Sequence, residues 1–207
     1  MRRALPLLFA LLASSANAEP ASLLIPGEYH GGEAPAEPGP GWLALVERDG
    51  TWSLQATLIL AEPVFDVLLD QTGETSGVRI ATPAQDALAL LRHPALRAGE
   101  VSQSGGDGEV LDQSGVALSL GAQHYQLART DSGLLLRQGN TAMPLAALEP
   151  EDSATLRWAG DLDRDGRLDL LIEFSGDNRL ARCAYLSSLS GRSGAPSLLA
   201  CHEATGC

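Results

Sequence analysis

Residues 41–61 read GWLALVERDGTWSLQATLILA, and the pair at their centre, Asp49-Gly50, decides the fold class. A two-residue type I′ turn needs positive φ at both central positions, so Asp-Gly between alternating apolar runs predicts a tight β-hairpin. Pairing outward from the turn sets Arg48 opposite Thr51, Glu47 opposite Trp52, Leu45 opposite Leu54 and Leu43 opposite Ala56. In that register Leu43, Leu45, Leu54, Ala56 and Leu58 share one face while Ser53, Gln55 and Thr57 share the other. Trp52 falls on the Leu54 face, which makes it a packing residue.

Short strands are expected to continue the pattern at VFDVLL (64–69), GVRIA (77–81), GVALSL (115–120), QHYQLAR (123–129) and GLLLRQ (133–138). Clusters of Gly, Asp, Ser and Asn separate them at intervals that suit a sandwich or barrel. The stretch TPAQDALALLRHPALRAG (82–99) is ambiguous. Thr82, Pro83 and Gln85 resemble a capped helix start, but Pro94 limits any helix to about three turns. The alternation of DALALLR suits a strand, and a strand is favoured. The expected fold is mainly β: a single antiparallel sandwich or barrel-like domain.

The N-terminus points to export. Arg2 and Arg3 precede the apolar run ALPLLFALLA and a small-x-small site, Ala16 to Ala18, so residues 1–18 read as a signal peptide cleaved after Ala18. Residues 19–40 carry five prolines and several glycines and read as an extended leader; 41–207 form the β domain. No later segment is apolar and long enough to span a membrane as a helix. The formal net charge of −12 becomes more negative once Arg2 and Arg3 are removed. Such a balance excludes nucleic acid as a partner, because counterion release needs a cationic patch. All basic residues are Arg.

Near the C-terminus the chain reads WAGDLDRDGRLDLLIEF, Trp158 to Phe174. It sets Asp161, Asp163 and Asp165 at alternate positions of a tight turn. Gly166 lets the backbone bend back, the Arg167 carbonyl can turn inward, and Asp169 closes the shell. An all-oxygen set of this kind suits a hard cation with six or more ligands, Ca²⁺ rather than the smaller Mg²⁺. The spacing departs from the EF-hand, whose bidentate Glu belongs where this chain has Ile172.

GDLDRDGRLDLLIEF instead resembles the calcium loop and following strand of FG-GAP repeats, and the loops of thrombospondin type-3 repeats. The resemblance implies Asp161, Asp163, Asp165 and Asp169 as side-chain ligands of calcium, in a loop joining two strands. It covers roughly residues 156–175, in a single copy. A propeller needs at least about four blades, so the propeller and its adhesive function do not carry over.

Three cysteines follow the loop: Cys183, Cys201 and Cys207. LARCAYLSS and PSLLACHEA read as two strands joined by a Gly/Ser-rich turn around Arg192, which would set Cys183 opposite Cys201. Cys207 leaves other pairings open. No G-x-S-x-G, H-E-x-x-H, P-loop or G-x-G-x-x-G motif is present, so no catalytic residue is assigned. Trp42 and Trp158 are candidates for a sugar-stacking surface. The function expected is a calcium-stabilised structural or binding role in the bacterial cell envelope, toward an envelope protein or glycan. A secreted hydrolase with a non-local active site and a glycan-binding module are the alternatives.

Overall fold

The computed structural model describes residues 22–33, 38–190 and 194–205. The signal segment 1–18, the Arg192 tip and Cys207 lie outside the described residues. Every strand pairing among the described residues is antiparallel. No described helix is long and apolar enough to cross a membrane.

The first sheet is built from β1 (Ser22–Leu24), β2 (Gly27–Tyr29), β3 (Gly39–Arg48), β4 (Thr51–Val64), β5 (Gly77–Ala81), β6 (Ala89–Arg92) and β7 (Gly99–Glu100). Its spatial order is β1-β6-β3-β4-β5-β2, with β7 also on β4. The Asp49-Gly50 hairpin is its spine: φ is 52° at Asp49 and 75° at Gly50, and Leu45 faces Leu54 in the expected register. Residues 82–99 contain β6 and no helix, and the leader supplies β1 and β2.

Two short strands, β8 (Ser102–Gly105) and β9 (Glu109–Val110), lead into a four-stranded meander. It consists of β10 (Val116–Leu120), β11 (Gln123–Thr130), β12 (Gly133–Gln138) and β13 (Thr141–Ala146). The C-terminal sheet contains β14 (Ser153–Asp161), β15 (Asp169–Gly176), β16 (Arg179–Leu186) and β17 (Ser197–Thr205), with β8 and β9 along the free edge of β14.

The C-terminal sheet is the middle layer. On one face Leu170, Ile172 and Phe174 of β15 pack against Leu118, Leu127 and Leu136 of the meander. On the other, Leu171 and Trp158 pack against Leu45, Leu54 and Leu91 of the first sheet. Burial on both faces explains why LDLLIEF is nearly continuously apolar instead of alternating. A third cluster, with Trp42, Val46, Ile59 and Ile80, fills the far side of the first sheet, which curls around it.

Two sequence expectations need correction. Ala56 and Leu58 share a face with the buried Leu54 but are exposed, because no layer covers that end of the sheet; Ala56 keeps its expected pairing with Leu43, and a bulge shifts the register only beyond it, between Pro40 and Trp42. VFDVLL is not a strand beyond Val64. The Asp66 carboxylate accepts the N–H groups of Leu68 and Leu69, the Asp70 carboxylate accepts those of Asp66 and Ser76, and the chain turns. Side-chain acceptors outcompete the sheet ladder here. Phe65, Val67, Leu68 and Leu69 are left exposed.

Cys183 and Cys201 face each other across β16 and β17 and form a disulfide. Closing a loop of this length stabilises by about 3 kcal/mol through the unfolded chain's lost entropy. Alkylation of the native protein without reductant should therefore spare Cys183 and Cys201, and Cys183→Ser with Cys201→Ser should lower the urea unfolding free energy by about that amount. Modification of both cysteines in unreduced protein would contradict the pairing.

His30 Nδ1 lies 2.6 Å from Asp66 Oδ2. The hydrogen bond to Asp66 raises the His30 pKa above 6.5, and the bond to His30 holds Asp66 below 3.8. A raised His contributes stability fully below its unfolded value and loses it as pH rises through the folded one; a lowered Asp contributes above its unfolded value and loses it on acidification. The pair thus supports the fold most between about pH 4 and 6.5. Replacing His30 by Asn should flatten the fall in thermal stability on going from pH 6 to 8, while an unchanged slope would show that the pair does not form.

Candidate metal centre

The acidic loop joins β14 to β15, and Gly160 pairing with Asp169 closes its base. Gly160 has to be glycine: a Cβ there would lie 2.0 Å from the Ser102 carbonyl oxygen and 2.5 Å from the Trp158 ring. Positive φ at Arg164 (63°) and Gly166 (80°) reverses the chain within the loop.

The turn is organised around carboxylates. Asp161 accepts the N–H groups of Asp165 (3.0 Å) and Gly166 (2.9 Å), so its two oxygens hold the far side of the loop. Asp169 is fully buried; one oxygen accepts the Leu162 N–H at 2.7 Å, and the other accepts the Ser187 N–H at 2.7 Å and the Ser187 hydroxyl at 2.9 Å. Ser187 opens a 3₁₀ turn, Ser187–Leu189, at the end of β16. The next residue, Ser188, donates its hydroxyl to Asp163. Arg164 points the other way, donating to the carbonyls of Glu100 (2.8 Å) and Arg97 (3.0 Å) and fastening the loop to the first sheet.

Asp161, Asp163 and Asp169 each offer an oxygen within 4.8 Å of the others, a group that can hold a metal ion. Asp165 is not in that group. Its carboxylate takes the Arg167 guanidinium at 2.6 and 2.9 Å and the Ser187 hydroxyl at 3.1 Å. Thus three of the four expected aspartates converge, while Arg167 engages Asp165 through its side chain.

Electrostatics show the cost of the cluster. Burial pushes the Asp169 carboxyl up to about 7, although the N–H donors of Ser187 and Leu162 pull the other way. Asp161 is also raised, first by burial and then by the charges of Asp165 and Asp163. Withdrawal from water and like charge both disfavour ionisation, and a bound cation would reverse both effects.

Two side chains of this site escape a sequence reading. Ser187 and Ser188 look like ordinary turn residues, and their partners lie 18 to 25 positions away. The tryptophans offer no sugar-stacking platform: Trp158 is 0% and Trp42 2% exposed, and Trp52 packs edge-on to Trp158 with ring centres 6.3 Å apart. A His and a carboxylate do converge elsewhere. His30 and Asp66 line a cavity of about 380 Å³ together with Tyr29, Glu33 and Thr205. The chain matches no protein-family model, no curated protein and no solved structure.

Removing the Asp169 carboxylate would leave two buried N–H groups without acceptors, each costing about 1–3 kcal/mol. Asp169→Ala should therefore destabilise the protein by about 3 kcal/mol in urea unfolding with a chelator present. A loss below 1 kcal/mol would mean that Asp169 matters only through a metal.

Proposed function

We propose that this is an exported β-domain protein whose acidic loop holds one structural calcium ion, and that it serves the bacterial cell envelope as a structural or binding component. The observation that carries the reading is the convergence of Asp161, Asp163 and Asp169 within 4.8 Å. Carboxylate oxygens are hard ligands, and a loop that can supply six or more oxygens suits calcium better than magnesium. Asp165 completes the shell by releasing Arg167, a half-exposed pair whose loss costs little. The Arg167 carbonyl, turned inward, supplies a further oxygen, and the aspartate set is the one implied by the resemblance to FG-GAP loops. Export is supported by the signal-like N-terminus and by the disulfide, which forms in oxidising compartments.

The ion's role on this reading is to neutralise repulsion at the junction of β14, β15 and β16, so it stabilises the fold and does no chemistry. A hydrolase is the second reading, favoured by the His30–Asp66 pair in its cavity. Among the described residues, the hydroxyl side chains lining that cavity are those of Tyr29 and Thr205.

A site of about 10⁻⁴ M affinity in millimolar calcium adds about 1.4 kcal/mol. For a chain of this size that raises the melting temperature by about 4 °C over chelator. Magnesium should do less, and Asp163→Ala should abolish the increment. Identical melting curves in calcium and chelator, with no calcium retained by the purified protein, would leave a metal-free loop held by its hydrogen bonds.

A further inference from the structure

At the turn end of the Asp49-Gly50 hairpin, the first sheet and the C-terminal sheet together line a cavity of about 480 Å³, a volume in the range of small-molecule sites. Its two walls carry opposite charge. Glu47 of β3 and Asp86, just ahead of β6, belong to the first sheet's side, whereas Arg157 of β14 and Arg182 of β16 belong to the C-terminal sheet. Trp52, which faces Glu47 across the hairpin, adds partly buried apolar surface together with Ile25 and Leu88.

The backbone aims these side chains. Leu156 pairs with Ile172 and Trp158 with Leu171, so Arg157 is the extra residue of a bulge in β14. A bulge re-aims the side chain it carries. Leu156 faces the meander, while Arg157 and Trp158 both turn toward the first sheet. Asp86 is held at φ 57°, a left-handed conformation uncommon outside glycine. Arg182 is already engaged: Nε and Nη2 donate to Glu173, and Nη1 donates to the Leu88 carbonyl at 3.1 Å. It braces β16 against the segment that bears Asp86. Arg157, Glu47 and Asp86 take part in no ion pair among the described residues, which leaves their charges for a ligand.

We infer that this cavity binds a short peptide, a di- or tripeptide with its carboxylate on Arg157, its ammonium group on Glu47 and Asp86, and an apolar side chain against Trp52 and Leu88. A simple anion would meet the two carboxylates, and a simple cation would meet Arg157. A free α-amino acid carries both charges on one carbon and cannot set them on separate walls. The cavity shares no residue with the acidic loop, so the inference stands apart from the metal reading and is tested in chelator.

The test is isothermal titration of the full chain at neutral pH with alanyl-phenylalanine and its two singly charged derivatives, the N-acetyl dipeptide and the dipeptide amide. The zwitterion should bind one per chain. Each derivative should bind about tenfold more weakly, as expected for one lost charge-assisted hydrogen bond, and so should free phenylalanine. Arg157→Gln should weaken the zwitterion about tenfold and leave the amide unchanged, because the amide has already lost the partner of Arg157. Glu47→Gln with Asp86→Asn, in which Asn tolerates the positive φ, should weaken the zwitterion and leave the N-acetyl form unchanged. Leu68→Ser with Leu69→Ser, at a separate exposed apolar surface, should change nothing. The derivatives probe the same two charges on the wild-type chain, whatever the substitutions do to folding. No binding of the zwitterion at millimolar concentration, or equal affinity of the zwitterion and both derivatives for the wild type, would overturn the inference. Phenylalanine binding as tightly as the dipeptide would overturn the placement of the two charges on separate walls.

Discussion

One buried carboxylate ties the C-terminal sheet together. Asp169 stands at the first position of β15 and accepts N–H groups from Leu162, just after β14, and from Ser187, just after β16. Three consecutive strands thus meet at a single side chain in the middle layer of the molecule. Burial raises the carboxyl to about 7, so the interaction is held against the cost of taking a charge out of water. Its hydrogen bonds are what make the position tolerable, and they also fix where the remaining aspartates of the loop can reach.

The three layers follow from that arrangement. With β14 to β16 held in register, Leu170 and Ile172 face the meander while Leu171 and Trp158 face the first sheet. The acidic loop then emerges at the edge of the stack, where Arg164 fastens it to the carbonyls of Arg97 and Glu100. The segment that receives Arg164 also lines a cavity of about 790 Å³ beside β3 and β4.

Features encoded by local chemistry were legible in the sequence. The Asp49-Gly50 turn sets its own register because positive φ is required at both positions, and the facing of Cys183 and Cys201 follows from a hairpin of balanced arms. The Asp161 to Asp169 spacing announces a carboxylate cluster because a tight turn brings alternate side chains together. What stayed hidden depends on partners far along the chain. VFDVLL has strand composition, yet Asp66, Asp70 and the distant His30 turn it into an exposed apolar loop. Ser187 approaches Asp165 and Asp169 only once β16 is paired, and it helps hold Asp165 with Arg167 outside the three converging aspartates. Ala56 and Leu58 follow the face pattern correctly but lack a covering layer, which no alternation can reveal.

The central claim is that Asp169 is a permanent structural acceptor while the outer aspartates respond to a cation. Residue-resolved amide hydrogen exchange tests it most directly. With a chelator present, the amides of Leu162 and Ser187 should exchange only through global unfolding, and those of Asp165 and Gly166 should exchange much faster; calcium should slow the second pair and leave the first unchanged. Exchange of Leu162 and Ser187 as fast as that of Asp165 in chelator would contradict the account.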